Sequence, residues 1–135
     1  MFNTTRTLFL LAVVTLALAC GAEAPEAEDA TVPAATYTVR GRVLDMPTAP
    51  GEEMRIEHEA IHTFVDYRGE VVGMDAMTMS FPLAEGVGAD VAPGDLVEFD
   101  LRVDWNAEPL STVTRMTKLA PETELVFGRA EPQGE

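Results

Sequence analysis

Along residues 54–60 the chain alternates strictly, with Met54, Ile56, His58 and Ala60 on one side and Arg55, Glu57 and Glu59 on the other. That is the period-two signature of a strand with one buried face, and a histidine sits on the apolar side of it. The same rhythm returns in LVEFDLRVDW, where Val97, Phe99, Leu101 and Val103 oppose Glu98, Asp100 and Arg102. It is looser in YTVRGRVLD, starting at Tyr37, and in STVTRMTKL, starting at Ser111. In AMTMSFPL, Met77, Met79 and Phe81 share a face. Clusters of Pro and Gly in MPTAPGEE and EGVGADVAPGD mark turns, and TFVDYRGEVVG reads as a hairpin turning at Arg68 and Gly69. Five or six short strands, no 3.6-residue period and no internal repeat predict a small all-β barrel or sandwich over residues 37–127. Residues 120–127 are expected to close the domain and residues 128–135 to form a disordered tail.

The 135 residues allow one domain, and the amino-terminal part contributes little to it. Arg6 precedes an apolar run over residues 8–19, too short to cross a bilayer, which makes residues 1–19 a secretory signal peptide. The run ends Ala17-Leu18-Ala19-Cys20-Gly21, which resembles a bacterial lipobox with Cys20 as the lipidated first residue of the mature chain. Ala17 stands where that motif prefers leucine, so the same residues also read as an ordinary small-x-small cleavage site. Residues 20–36, rich in Ala, Glu and Pro, are expected to be a flexible acidic linker.

The chain has a single cysteine, so it forms no internal disulfide and offers no thiolate metal site within the domain. The formal charge of −14, one unit more negative without the leader and its Arg6, argues against nucleic acid or anionic lipid as a partner. The expected location is the periplasm or cell envelope, with membrane contact only through a lipid anchor.

Three of the seven methionines lie within GMDAMTMSF. Met77 and Met79 point the same way on a strand, and Met74 lies just before them. Neutral, polarizable thioethers select Cu(I), or Ag(I) as its analogue, over hard cations, and the imidazole of His58 would add a nitrogen donor. Either feature alone has an ordinary reading, methionine as core filler and His58 as a half-buried structural residue. Their conjunction in an exported domain without thiols favours a metal site. No Ser/His/Asp order, phosphate loop or helical histidine pair is present, so no enzyme is expected.

Ile56-Glu57-His58-Glu59-Ala60-Ile61, then residues 74–81 (MDAMTMSF), then Gly94-Asp95-Leu96-Val97-Glu98-Phe99 resemble the CusF-like periplasmic copper-binding proteins, over about residues 37–119. The resemblance implies a five-stranded OB-type β-barrel that holds Cu(I) or Ag(I) at one end, here with an extra hairpin. It places the family histidine on His58 and the two methionines on Met77 and Met79. Where the best-known members cap the ion with a tryptophan, this chain has Met74, a third thioether that would coordinate directly. The link HTFVDYRGEVVG between Ile61 and Met74 is longer than in the simplest members and adds His62, either a rival to His58 or a partner behind it. Trp105, far along the chain, reads as a rim aromatic and not as the cap.

The expected function is that of a Cu(I)/Ag(I) carrier or buffer serving copper efflux or homeostasis. Its partners would be the copper ion and a periplasmic efflux component or a copper-enzyme assembly protein. The competing reading is a small β-barrel interaction module that binds a protein of the envelope, with methionines that only pack its core.

Overall fold

The computed structural model describes residues 31–132. The expected signal peptide, Cys20 and the expected linker up to residue 30 lie outside the described residues. Five strands follow in chain order: β1 (Ala35–Asp45), β2 (Met54–His58), β3 (Met77–Phe81), β4 (Leu96–Val103) and β5 (Ser111–Lys118). They form one antiparallel sheet in the order β3-β2-β1-β4-β5. β5 swings back toward β3 through a parallel bridge between Leu83 and Val113, with hydrogen bonds Val113 N–Pro82 O and Ala84 N–Val113 O of 2.9 Å each. The sheet is therefore curled like a five-stranded, partly open OB-type barrel whose edges meet at this point and whose circle is otherwise not closed.

The alternation read from the sequence sets the inside. Val39, Val43, Met54, Ile56, Phe81, Val97, Phe99, Leu101, Val103 and Val113 are buried, and the intervening polar residues face outward. Phe81 of β3 stacks obliquely on Phe99 of β4 at 5.8 Å, filling the space between the two sides of the curl. β1 is the long central strand, paired with β2 and β4. At Gly41 it lies opposite both His58 and Val97. A Cβ there would stand 2.6 Å from the Glu57 carbonyl oxygen and 2.8 Å from Ile56 Cγ2, so only glycine permits this close approach of β1 to β2.

The expected hairpin is present as two isolated bridges, Ile61–Met74 and Val65–Val71. Asp66 builds its turn by accepting the backbone N–H of Arg68 and Glu70 on one carboxylate oxygen. Aromatic contacts dock it on the barrel: Phe64 packs against Tyr37 and Trp105, and Trp105 donates its indole N–H to the Val65 carbonyl at 3.1 Å. Tyr67 also packs edge-on against Trp105.

Both ends of the domain carry more order than composition suggests. Of the expected linker over residues 20–36, the described part includes a buried Val32, whose carbonyl accepts a hydrogen bond from Asn106, and β1 already begins at Ala35. Residues 128–132, expected to be tail, are held to the barrel by backbone hydrogen bonds from Ala130 to Asp75 and from Glu131 to His62.

Candidate metal centre

β2 and β3 are both short and register-locked by their apolar faces: Met54 opposes Phe81, Ile56 opposes Met79, and His58 opposes Met77. A slip of one residue would turn every one of these side chains outward, so the pairing is strongly specified. Directly opposed residues on an antiparallel pair share a face, with Cβ atoms about 4.5–5.5 Å apart. His58 and Met77 are thus neighbours on the last rung of the β2–β3 ladder, at the mouth end of the curl. Met79 lies two residues deeper and packs, half-buried, on the core. Met77, at the first position of β3, is 42% exposed.

His58 is fully buried. Its Nδ1 lies 2.7 Å from the backbone oxygen of the next residue, Glu59, an acceptor, so Nδ1 carries the proton and donates. The other nitrogen, Nε2, is then a bare lone pair, and it is the one buried side-chain nitrogen or oxygen among the described residues without a hydrogen-bond partner. Burial pushes the imidazole pKa below its ordinary value, outweighing the opposite pull of the Glu59 hydrogen bond. The ring is therefore neutral near neutral pH with an unused lone pair, the protonation state in which histidine ligates a metal. Leaving such a nitrogen buried and unmatched costs about 1–3 kcal/mol, which marks it for a role beyond packing.

Met74 is placed by the Ile61 bridge, with Ile61 N–Met74 O at 2.8 Å and Met74 N–Ile61 O at 2.9 Å. It is half-buried against the core on the same strand pair, extended past His58 and Met77. The fold thus sets His58, Met77 and Met79 on one face of the β2–β3 pair and puts Met74 on the bridge next along. His62 is placed differently. It is exposed, and its Nδ1 accepts the Glu131 amide at 2.9 Å, a tie to the carboxy-terminal segment. Trp105 lies in the aromatic cluster under the hairpin. No group of three or more His, Cys, Asp or Glu side chains among the described residues comes together to hold a metal, so any ion taken here would depend on thioethers.

Glu59 stands beside these residues, although the sequence singled out no role for it. Its carbonyl orients His58, its carboxylate receives Arg40 through two hydrogen bonds of 2.9 Å, and the same carboxylate accepts the Val126 amide at 2.7 Å. Its signals were a place in the 56–61 segment and an outward position in the alternation, the latter shared by every surface carboxylate on a strand. Nothing along the chain announces that β1 will bring Arg40 beside it. No family model, curated protein or solved structure matches the chain.

Proposed function

We propose that the protein binds Cu(I), or Ag(I) as its analogue, and acts as a carrier or buffer of that ion in the cell envelope. The observation that carries this reading is the buried, neutral His58, whose Nε2 has no partner and which stands directly across from Met77. A nitrogen lone pair beside soft sulfur at the end of the β2–β3 ladder suits a monovalent soft ion and offers little to Mg²⁺ or Ca²⁺. The leader and Cys20 support an exported, lipid-tethered chain, and the resemblance to CusF-like proteins supports service to an efflux or copper-enzyme assembly system.

Competition with a chromogenic Cu(I) chelator tests the proposal on the purified mature chain. One Cu(I) per chain is expected, with loss of that binding in Met77→Ala/Met79→Ala. The two single variants separate coordination from packing. Met77→Ala removes an exposed side chain and should leave stability nearly unchanged, whereas Met79→Ala removes a half-buried one and should cost about 1–3 kcal/mol, below the range for fully buried sites. Both should weaken Cu(I) binding. If Met77→Ala/Met79→Ala binds as the parent does, the thioethers are not ligands and the interaction-module reading replaces this one.

A further inference from the structure

The carboxy-terminal segment leaves β5, turns at residues 120–123, and then runs back over the end of the β2–β3 pair. Its attachments fall on a narrow set of residues. Val126 N donates to the Glu59 carboxylate at 2.7 Å, and Ala76 N donates to the Gly128 carbonyl at 2.9 Å. Ala130 N donates to Asp75 Oδ1 at 2.8 Å and Glu131 N to His62 Nδ1 at 2.9 Å. Phe127 lies under the Arg42 guanidinium, 5.9 Å from its ring centroid. Ala130 sits so close to Gly73 that a Cβ at Gly73 would be 2.7 Å from the Ala130 Cβ.

Each anchor of the hydrogen-bonded set is next to, or a few residues from, a proposed donor. Glu59 follows His58, Asp75 follows Met74, and Ala76 precedes Met77. Residues 74–76 carry no β-ladder of their own beyond the Ile61 bridge, so what fixes the chain between Met74 and Met77 is largely this segment. It spans the two sides of the mouth, with Glu59 and His62 on one side and Asp75 and Ala76 on the other.

We propose that residues 126–131 are a strap that holds the His58 side and the Met74–Met77 side of the mouth in a fixed relation, so that the donors are preorganised and the ion binds more tightly. This rests on the metal-binding reading above. Without the strap the mouth samples other arrangements, and apparent affinity falls in proportion to the fraction of time it is competent. A mouth that is competent one-tenth of the time would bind about tenfold more weakly.

Two variants test this. One ends the chain after Glu122. The other keeps full length and carries Val126→Pro with Ala130→Pro, which deletes the two amide donors to Glu59 and Asp75. The metal-free readout is amide hydrogen exchange in the apo protein, where Ala76 and Met74 should lose protection at least about tenfold while β1 and β4 keep theirs. The metal readout is Cu(I) affinity in chelator competition, expected to weaken about tenfold in both variants. Unchanged exchange at Ala76 and Met74, or an unchanged Cu(I) affinity, overturns the strap. A parent chain with no saturable Cu(I) site overturns the metal reading instead, and the hydrogen-exchange arm still decides whether the segment orders the mouth.

Discussion

Replacing His58 with leucine should remove copper binding and leave the apo protein as stable as before or more so. Two opposed effects set the magnitude. The substitution deletes a buried Nε2 that has no partner, and relief of that desolvation is worth about 1–3 kcal/mol. It also deletes the Nδ1–H donation to the Glu59 carbonyl, a net loss of about 0.5–1.5 kcal/mol. Leucine approximates the volume of imidazole, and its neighbours Ile56, Met79 and Phe81 are apolar, the Phe81 ring centroid lying 6.0 Å from that of His58. The balance is a gain of about 1 kcal/mol, equivalent to a rise of about 4–8 °C in Tm for a domain of this size. The assay is thermal or urea unfolding of both proteins with chelator present, followed by Cu(I) competition on each. A structural histidine behaves in the opposite way, so a loss of more than about 2 kcal/mol in apo His58→Leu, comparable with breaking a satisfied buried polar contact, refutes the argument. So does retention of parent Cu(I) affinity.

Acid should act in two stages. The His58 pKa lies below its unfolded value of 6.5, so between the two the unfolded chain binds the proton and the folded one does not; stability is full above pH 6.5 and declines as pH falls toward the folded pKa. Copper affinity should persist further into acid than stability does, because the folded imidazole stays neutral there; urea midpoints and chelator competition from neutral to acid pH check both, and His58→Leu should lack the first stage. A second loss should come at lower pH, where Asp66, Asp100 and Asp104, all held below the ordinary carboxylate range by hydrogen bonds, must take protons. Gly41→Ala should cost about 1–3 kcal/mol, since its Cβ would meet the Glu57 carbonyl oxygen, which is backbone and cannot swing aside; a urea midpoint equal to that of the parent would show that β2 shifts freely.

What the sequence made legible follows the period-two pattern. Met54, Ile56 and His58 are all fully buried on one face, and Val97, Phe99, Leu101 and Val103 line the core as their alternation requires. The strand with His58 stops there, two residues short of the alternation that runs to Ala60: Glu59 N bonds Arg40 O, and Ala60 leads into the hairpin. The hairpin turn was legible because Asp66 and Gly69 do chemistry that is local in sequence. Contacts that depend on two distant segments meeting were not. Residues 126–131 are fastened mainly through their own backbone amides, and an amide gives no periodic or compositional signal. The fit of Gly41 against β2 and the approach of Arg40 to Glu59 likewise exist only once β1 has paired.

Charge and donor type then answer different questions at the proposed centre. The chain is strongly acidic, and a field of that sign raises the local concentration of any cation. It cannot choose among cations, and hard divalent ions would gain most from it. Choice has to come from the atoms that touch the ion, and His58, Met74, Met77 and Met79 are neutral donors. The nearby carboxylates are already engaged: Glu59 with Arg40 and the Val126 amide, Glu57 with Arg42, Asp75 with the Ala130 amide. Carboxylates committed in this way lose much of their capacity to assemble an oxygen cage. Under the proposed function, the same interactions that fasten the carboxy-terminal segment also withhold oxygen ligands from the mouth. Selectivity for soft ions and the order of that segment would therefore be lost together, and freeing Asp75 by removing residues 123–135 should raise Ca²⁺ or Mn²⁺ competition against Ag(I), which the intact chain is expected to resist.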